Sequence, residues 1–432
     1  MLSLPLQLQP LSPPFYPANS QPKTLKPVFP KACKSQYQTE RGLQFDIGDT
    51  FFRHESATGR DFGVLSAALY KQSNGSLRVL DALCGCGIRS LRYLVEAKAD
   101  FVLANDANEN YRGIISGNLS RISEERWVVM NSDANRVMTE RYLEKDYFDL
   151  VDVDSFGSDS SFLRAAIGAV KLDGLLYITS TDGYSSGGHR PQHSLAAYGA
   201  YVRPMPYSNE VGLRMLIGGA LREASVLGYH VVPLFSYYSY HGPVFRAMLQ
   251  IKRGRLPDSS TYNFISHCIQ CGNSQTVAWD QLGQIRCPCI TNACVPNSLI
   301  VSGPLWTGPL HQASHLARML NLAEQLGWIS DGNGRNLEKL IRLMVDESDP
   351  KLPVGYIKID EVLKECVASR AKLNSPSIGA IMNTLHEVAF SPPLCSLSDQ
   401  DPPIALETFD LTAWANILLW ETPSLGFGDA NN

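Results

Sequence analysis

The sequence predicts an α/β fold with a mainly parallel, Rossmann-like sheet that helices cover on both faces. Two observations predict it. Apolar, strand-like runs alternate with stretches of helical spacing between residues 77 and 251, and the first run ends in a Gly-x-Gly turn that precedes a helix. The last two runs follow each other without a helix, which suits a hairpin at one sheet edge with one antiparallel strand. The predicted strands are 77–83, 101–104, 127–130, 148–153, 175–180, 230–236 and 244–251.

The overall composition excludes several classes of protein. The chain has 432 residues, enough for two or three domains with their own cores. Hydrophobic residues make up 44% and charged residues 19%, as in ordinary globular proteins. No apolar run approaches the ~20 residues that span a bilayer, so we expect no membrane partner. The formal net charge is -4, so nucleic-acid binding would need a local basic face.

The first 39 residues differ from the rest. They contain no Asp or Glu, prolines at eight positions, and the four lysines Lys23, Lys26, Lys31 and Lys34. Proline interrupts helices and strands alike, so we predict that residues 1–40 are disordered. An acid-poor segment is typical of an organelle transit peptide, and the absence of arginine favours a chloroplast over a mitochondrion. The alternative is a flexible tail on a protein of the cytoplasm or nucleus.

Three predicted parts follow this segment. Residues 41–255 hold the alternating pattern, and residues 256–300 are rich in cysteine. From 301 to 432 helical patterns dominate, with short strand-like pieces near 356–359. We therefore predict an α/β domain, a Cys-rich segment and a mainly helical α+β C-terminal domain, in that order.

The turn after the first strand predicts a cofactor site. Gly85 and Gly87 let the backbone approach a ligand closely and allow positive φ. A dinucleotide fingerprint would have a third glycine where Ser90 stands, and no Lys-Ser/Thr pair follows to form a P-loop. Asp106 ends the second strand about 20 residues further on, which places a carboxylate beside a ribose.

Two further acids complete the pattern. Asp81 is an early acid in the first predicted strand, before the turn. Asp133, followed by Ala134, comes after the third strand, where an acid can accept a hydrogen bond from an adenine amine. Together with the Gly-x-Gly turn, these acids have the arrangement of S-adenosylmethionine methyltransferases. A nicotinamide enzyme and a non-catalytic nucleotide fold are the alternatives. Cys84 and Cys86 are too closely spaced for two zinc ligands in such a turn, and we interpret them as small residues that a cramped turn tolerates.

The end of the fourth strand predicts the chemistry. Asp149, Asp152 and Asp154 follow one another there, and Phe156 comes next. Ligands bind at the carboxyl ends of strands in an open sheet. A carboxylate at this place can hold the N–H of a conjugated amine and take the departing proton, while an aromatic ring can stack on a flipped base. We predict these roles for Asp154 and Phe156. The alternative is an ordinary capped helix start.

These motifs, with others in the same order, resemble one known family, the tRNA (guanine-26-N2)-dimethyltransferases. The resemblance runs from about residue 51 to residue 393. The departures from the family pattern are Ser155, where the family has proline, and Arg53-His54, where it has Asn-Pro. The matching segments are Phe51-Phe52, Gly59-Arg60-Asp61, Asp154-Ser155-Phe156-Gly157-Ser158, 179–182, 198–200, 209–214 and the long stretch 303–310.

The resemblance implies an enzyme that uses S-adenosyl-L-methionine to place one or two methyl groups on the exocyclic N2 of a guanine, at position 26 of tRNA. It implies that Asp154 is the catalytic carboxylate and that Phe51 and Phe156 hold the guanine. A methyltransferase for another RNA guanine and a catalytically inactive tRNA-binding protein on the same fold are the alternatives; the intact acids argue against the second. We expect a monomer. The resemblance implies cofactor contacts for Arg60, Arg89, Asp106, Asp133 and Ala134.

The Cys-rich segment predicts a structural zinc site. Cys268 and Cys271 form a C-x-x-C knuckle, and Cys287 and Cys289 form a second pair with one residue between them. Because that second spacing is short, Cys294 can replace Cys289. The family resemblance also implies four cysteine ligands here. The alternative is a small loop of packed thiols.

A run of basic residues lies between the α/β domain and the Cys-rich segment. Arg246 and the group Lys252, Arg253 and Arg255 form what we term the cationic edge. It could neutralise tRNA phosphates, or it could be a solvated linker. The resemblance implies that the C-terminal domain holds the body of the tRNA.

Overall fold

The structure is a computed structural model. It describes residues 36–157, 160–239, 241–254, 261–270, 272–287, 298–329, 337–350 and 352–355. The strands are β1 Tyr37–Glu40, β2 Leu43–Asp46, β3 Arg78–Asp81, β4 Phe101–Asn105, β5 Trp127–Met130, β6 Phe148–Asp154, β7 Val170–Ser180, β8 Tyr229–Ser239, β9 Val244–Arg253, β10 Tyr262–Cys268, β11 Ser274–Val277 and β12 Leu299–Trp306. The helices are α1 Ala57–Asn74, α2 Ile88–Val95, α3 Arg112–Leu119, α4 Ala134–Glu144, α5 Ser160–Ala169, α6 Gly183–Ser186, α7 Pro191–Tyr198, α8 Ser208–Val226, α9 Ala313–Gln325 and α10 Leu337–Asp346.

A seven-stranded sheet forms the centre of the protein, in the order β5-β4-β3-β6-β7-β9-β8. The pairs from β5 to β7 are parallel, and β9 runs antiparallel to both β7 and β8. This confirms the predicted parallel sheet with an edge hairpin. The order reverses between β3 and β6, so the carboxyl ends of these two strands flank the crevice where an open sheet binds its ligands.

Helices cover both faces of the sheet, as predicted. On one face α1, α2 and α9 pack in a cluster that includes Leu65, Leu91 and Met319, all fully buried. On the other face α4, α5 and α8 pack around Met138, Ile167 and neighbouring apolar side chains. The sequence interpretation did not assign α1, although most of this 18-residue helix is buried. Its glycines and its buried Arg60 and Asp61 obscure the apolar stripe that would identify a core helix.

The ordered fold begins before the boundary that we predicted at residue 40. β1 pairs with β2 in an antiparallel hairpin, and Glu40 at its end is buried. The Glu40 carboxylate forms ion pairs with Arg60 of α1 at 2.6 Å and with Arg92 of α2 at 2.7 Å. Residues 37–40 are therefore part of the folded domain, with Glu40 in its interior, which corrects the extent of the predicted disordered segment. The rest of that segment, residues 1–35, lies outside the described residues.

The residues on either side of the boundary that we predicted between 300 and 301 form one strand of a second sheet. β10, β11 and β12 form a three-stranded antiparallel sheet, and β12 spans the predicted boundary between residues 300 and 301. β12 also packs against α8 of the main domain. Helices α9 and α10 join the core on the α1 side of the main sheet. The predicted strand-like pieces near 356–359 lie outside the described residues. No helix that the structure describes is long and apolar enough to cross a membrane.

Candidate functional site

The predicted cofactor turn lies at the carboxyl end of β3. Gly85 and Gly87 both have positive φ, 57° and 80°, as the sequence interpretation expected of this turn. Gly87 precedes α2, and a Cβ on it would lie 3.2 Å from the side chain of Ile115, so a side chain at that position would press on α3. The adjacent Cys84 and Cys86 are buried in the core. The turn thus brings side-chain-free backbone to the start of α2, and Gly85 is only partly buried there, so a ligand can approach it.

The acids after β4 and β5 line the same edge of the sheet. One oxygen of Asp106 accepts a hydrogen bond from the Gly85 amide at 3.0 Å, and the other accepts one from the Asn108 amide at 2.9 Å. Asp133 is exposed and caps α4, accepting a hydrogen bond from the Arg136 amide at 3.0 Å. Ala134 begins that helix and is buried. The remaining lone pairs of both carboxylates are available to a ligand.

Two buried carboxylates lie side by side beneath this edge. Asp81 and Asp152 face each other on adjacent strands, and neither side chain is accessible to solvent. Oδ2 of Asp81 accepts a hydrogen bond from Ser90 at 2.7 Å, while Oδ2 of Asp152 accepts bonds from Arg89 at 2.8 Å and Tyr93 at 2.6 Å. The Oδ1 atoms of both have no hydrogen-bond partner among the described residues. Burial and the neighbouring charge of Asp152 raise the pKa of Asp81 to about 8.

Asp154 projects from the end of β6 between two arginines. Arg89 donates to its Oδ2 from Nη2 at 2.7 Å and from Nε at 3.1 Å. Nη2 of Arg246 lies 3.4 Å from the other oxygen, Oδ1. Burial alone would raise the pKa of Asp154, but the charges of Arg89 and Arg246 outweigh it and hold that pKa well below its usual range. The carboxylate is therefore ionised at every physiological pH, yet about a quarter of its side chain remains exposed.

The loop after Asp154 is fixed to the neighbouring strand β7. Ser155 is buried, and its hydroxyl donates a hydrogen bond to the Thr179 carbonyl at 3.0 Å. Gly157 adopts a φ of 78°, its amide donates to the Thr181 hydroxyl at 2.6 Å, and its carbonyl accepts from the Thr181 amide at 2.8 Å. These bonds restrain the turn at the position where the resembling family has a proline.

Two aromatic rings that are far apart in sequence meet beside this loop. The ring centroids of Phe51 and Phe156 lie 4.7 Å apart in an edge-to-face arrangement, and the side chains are 55% and 68% exposed. The guanidinium of Arg53 lies 5.1 Å from the centre of the Phe51 ring. Exposed aromatic rings that contact each other next to a carboxylate offer an apolar surface for a flat, polar ligand.

Arg60, which the resemblance places at the cofactor, lies in a buried ion-pair network. Its guanidinium bonds to both carboxylate oxygens of Glu40 and to the carbonyl of Arg53, and it stacks over Phe52 at 4.9 Å. Arg89, also implied as a cofactor contact, bridges Asp152 and Asp154 as described above. In the structure, both arginines therefore bind carboxylates of the protein. Arg60 holds Glu40, and Arg89 holds Asp152 and Asp154.

Sequence reasoning misassigned one residue of the site. Arg246 was counted with the cationic edge, but it is only 2% exposed and lies against Asp154. The sequence did contain a signal for the burial of Arg246, because an arginine in the middle of the apolar strand 244–251 needs a buried partner. The rest of the cationic edge lies at the other end of β9, where Lys252 forms an ion pair with Asp173 at 2.7 Å. Arg253 is exposed, and Arg255 lies outside the described residues.

Half of the predicted zinc ligands can be placed. Cys268 ends β10 and is buried, and its carbonyl accepts a hydrogen bond from the Gly272 amide at 2.8 Å. Cys287 is also buried. Cys271 and Cys289 lie outside the described residues, as does the alternative ligand Cys294. Among the residues that are described, no group of three or more His, Cys, Asp or Glu side chains is arranged to hold a metal ion.

Curated proteins of one kind are similar to this chain along most of its length. The curated tRNA (guanine(26)-N(2))-dimethyltransferase of Saccharolobus islandicus is 28% identical over 360 residues, covering 82% of this chain and 88% of the relative. The enzyme of the same name from Pyrococcus furiosus is 29% identical over 356 residues, covering 79% and 85%.

A solved structure shares the fold. It is described as the complex of Trm1 from Pyrococcus horikoshii with S-adenosyl-L-methionine, and it superposes with a TM-score of 0.65 at 24% identity, covering 82% of this chain and 92% of that one. The sequence profile of the family described as N2,N2-dimethylguanosine tRNA methyltransferase matches residues 36–400, most of the chain. The protein therefore belongs to the N2,N2-dimethylguanosine tRNA methyltransferase family.

Proposed function

We propose that this protein transfers one or two methyl groups from S-adenosyl-L-methionine to the exocyclic N2 of a guanine in tRNA, at position 26. The observation that carries the proposal is the placement of Asp154. This ionised carboxylate lies at the carboxyl end of β6, within two residues of an exposed ring that meets Phe51. A flipped guanine that stacks on these rings would present its amine to the carboxylate.

The residues at the carboxyl ends of β3 to β6 fit the cofactor. S-adenosyl-L-methionine carries a cationic ammonium and a sulfonium, and it supplies an electrophilic methyl group when bound. Asp81 and Asp152 offer buried oxygens without partners, which is where a cation is stabilised. Gly85 and Gly87 allow a close approach of the backbone, and Asp106 is positioned for ribose hydroxyls. Asp133 and Ala134 would flank the adenine.

The chemistry at the amine follows from the charge state of Asp154. The lone pair of a guanine N2 is delocalised into the ring, so it is a weak nucleophile. A fixed carboxylate that accepts an N–H bond orients that lone pair and stabilises the positive charge that develops as the N–C bond forms. Once the N–C bond has formed, the exocyclic nitrogen carries a positive charge and is strongly acidic until one proton leaves, so even a carboxylate with a lowered pKa can accept that proton. Arg89 and Arg246 therefore favour electrostatic stabilisation over strong basicity.

The departure at Ser155 is compatible with this function. Proline would stiffen the turn through its fixed φ, whereas the buried hydroxyl of Ser155 restrains the same turn through its bond to Thr179. The loop retains its second attachment through Gly157 and Thr181. We propose that the exchange preserves the position of Asp154 and Phe156.

We also propose that Cys268, Cys271, Cys287 and Cys289 hold a structural zinc ion. The turn between Cys268 and Gly272 supports the proposal, since an amide-to-carbonyl bond across it and a positive φ of 74° at Gly272 are compatible with a knuckle. Elemental analysis of reduced, full-length protein should find about one zinc per chain, and Cys268→Ser should lower that amount. Protein without zinc, in a sample that binds S-adenosyl-L-methionine, would contradict the proposal.

We propose in addition that the acid-free N-terminal segment directs the protein to chloroplasts. A fluorescent fusion of residues 1–50 should enter plastids. A fusion that remains in the cytosol would contradict this address and leave the methyltransferase assignment intact, because the motif residues of the site lie outside the segment that would be removed.

The decisive experiment maps methylated guanines in tRNA. Total tRNA from cells that lack the protein should lose N2-methylated guanine at position 26 in at least one species, measured by nuclease digestion and mass spectrometry. Expression of the wild-type chain should restore the modification, while an Asp154→Asn variant should not. Unchanged tRNA in the deletion cells, combined with no transfer by purified protein to tRNA transcripts, would overturn the proposal.

A further inference from the structure

An acid-free segment borders the candidate site. Between Asp182 and Glu210 the chain contains no acidic residue, although it carries Arg190 and Arg203 together with several histidines and tyrosines. In a protein with a net charge of -4, such a stretch is a local reversal of sign. Basic residues interleaved with aromatic ones are the composition of a nucleic-acid contact.

The segment begins where the catalytic loop is attached. Thr181, just before it, forms hydrogen bonds to Gly157, the residue after Phe156. Asp182 then caps α6 by accepting a hydrogen bond from the Ser185 amide at 3.0 Å. A Cβ on Gly183 would lie 2.6 Å from Pro243, so α6 rests against the turn between β8 and β9. The segment therefore starts at the loop that carries Phe156, beside the place where a base would reach Asp154.

The segment presents an exposed arginine beside an exposed aromatic ring. The guanidinium of Arg190 lies 4.9 Å from the centre of the Tyr184 ring, and the ring is 64% exposed. Within the part of the chain that the structure describes, Arg190 forms no ion pair with a carboxylate. A positive charge without a counter-charge, presented beside an exposed ring, can bind a phosphate on one side and a base or ribose on the other.

A second arginine is held next to this pair. Gly188, two residues before Arg190, packs so closely on the backbone of Arg203 and Pro204 that no side chain would fit there. The φ of Gly188 is 70°, in the left-handed region that favours glycine. Arg203 itself is exposed. The fold thus brings the backbone of Arg203 against the chain two residues before Arg190, although 12 intervening residues separate the two arginines in sequence.

The part of the cationic edge around Lys252 and Arg253 cannot serve this purpose at the site. β9 runs antiparallel to β7, so Arg246 pairs with Thr179 near the catalytic loop while Arg253 lies at the opposite end of the strand. Seven residues at about 3.3 Å each place Arg253 roughly 23 Å from Arg246. Lys252 is further neutralised by Asp173.

We propose that Tyr184, Arg190 and Arg203 form the surface that binds the tRNA backbone beside the flipped guanine. The proposal rests on the proposed function and specifies how the substrate is held. Arg190 and Arg203 contact phosphates that flank the target nucleotide, and Tyr184 stacks on a neighbouring base or ribose. The cationic edge around Arg253 does not contact this part of the substrate.

The test is tRNA binding by the full chain as a function of salt. Each lost phosphate contact should reduce the slope of log K against log salt by about 1. We expect this reduction for Arg190→Ala, a reduction of about 2 for the double variant with Arg203→Ala, and an unchanged slope for Arg253→Ala, an exposed arginine outside the surface. Tyr184→Ala should weaken binding by roughly 5- to 100-fold with the slope retained, since stacking is uncharged. Unchanged S-adenosyl-L-methionine affinity in every variant confirms folding.

Three outcomes would overturn the inference, and they are distinguishable. If wild-type protein methylates tRNA and Arg190→Ala keeps the wild-type slope, this surface does not hold the substrate while the proposed function stands. If Arg253→Ala alone reduces the slope, the cationic edge is the contact instead. If wild-type protein neither binds nor methylates tRNA, the proposed function fails and the surface loses its substrate with it.

Discussion

Nη2 of Arg246 lies 3.4 Å from Oδ1 of Asp154, on the side of the carboxylate opposite to Arg89. Arg246 reaches this position because it is buried on β9, next to β7, and because α1 presents Gly59 to it. A Cβ on Gly59 would lie 2.8 Å from Nε of Arg246. Arg89 on α2 therefore holds one oxygen of the carboxylate, and Arg246 on β9 holds the other. The orientation of the carboxylate does not depend on the substrate.

The first prediction concerns Asp154 itself. Asp154→Asn keeps the shape of the side chain but removes the charge that stabilises the developing cation, so methyl transfer should fall by about 10²- to 10⁴-fold. Single-turnover transfer to a tRNA transcript measures the effect, with Asp173→Asn as the matched control at an exposed ion pair. Activity above roughly a tenth of wild type would remove Asp154 from the catalytic role.

The second prediction concerns Arg246 as a positioning residue. Arg246→Met should reduce the single-turnover rate by at least ~10-fold, because one oxygen of Asp154 loses its restraint. Removing a cation raises the pKa of a neighbouring carboxylate, so the rate should also fall at a higher pH than in wild type as the medium is acidified. Arg246→Lys should restore part of the rate and of the pH profile. A profile identical to wild type, with no difference between the two variants, would indicate a role in packing alone.

The third prediction follows from Asp81. Burial and the charge of Asp152 raise the pKa of Asp81 to about 8, so at pH 7 the free protein holds a proton there. A cationic ligand near its Oδ1 favours the ionised form, so binding of S-adenosyl-L-methionine at pH 7 should release a proton and tighten as the pH rises from 6 to 8. Calorimetry in phosphate and in Tris should give enthalpies that differ by the ionisation heats of the buffers. Equal enthalpies would contradict the assignment, and Asp81→Asn should abolish the difference.

The sequence predicted the main sheet, its antiparallel edge and the residues at the strand ends, because strand periodicity and motif spacing are local properties of the chain. It did not predict that Arg246 pairs with Asp154 or that Glu40 pairs with Arg60. These contacts join residues 92 and 20 positions apart, and only the packing of strands and helices brings them together. The meeting of Phe51 and Phe156 was accessible only through family resemblance, since neither ring lies in a periodic pattern that indicates a partner.

The last prediction concerns Glu40 and the start of the fold. Glu40 is 3% exposed, and ion pairs with Arg60 and Arg92 outweigh its burial and lower its pKa to about 2. Glu40→Gln takes from the buried Arg60 the carboxylate that it bonds to, while Arg92 keeps its ion pairs with Asp61 and Glu96. The variant should therefore lower the free energy of unfolding by about 3–5 kcal/mol at pH 7. Glu338→Gln, at an exposed helical ion pair with Arg342, should change it by less than about 0.5 kcal/mol.

The pH dependence has a definite sign. Because the folded pKa of Glu40 is lower than the ordinary value of 4.5, its stabilising effect is present above that value and is lost as the pH falls towards 2. The difference in stability between wild type and Glu40→Gln should therefore shrink between pH 5 and pH 3 in urea titrations.

The same network limits where the N-terminal segment can be removed. A chain that begins at Gln36 should match the full chain in stability, whereas one that begins at Arg41 should lose at least as much as Glu40→Gln. Equal stability of the two truncated chains would show that β1 and Glu40 contribute nothing to the core.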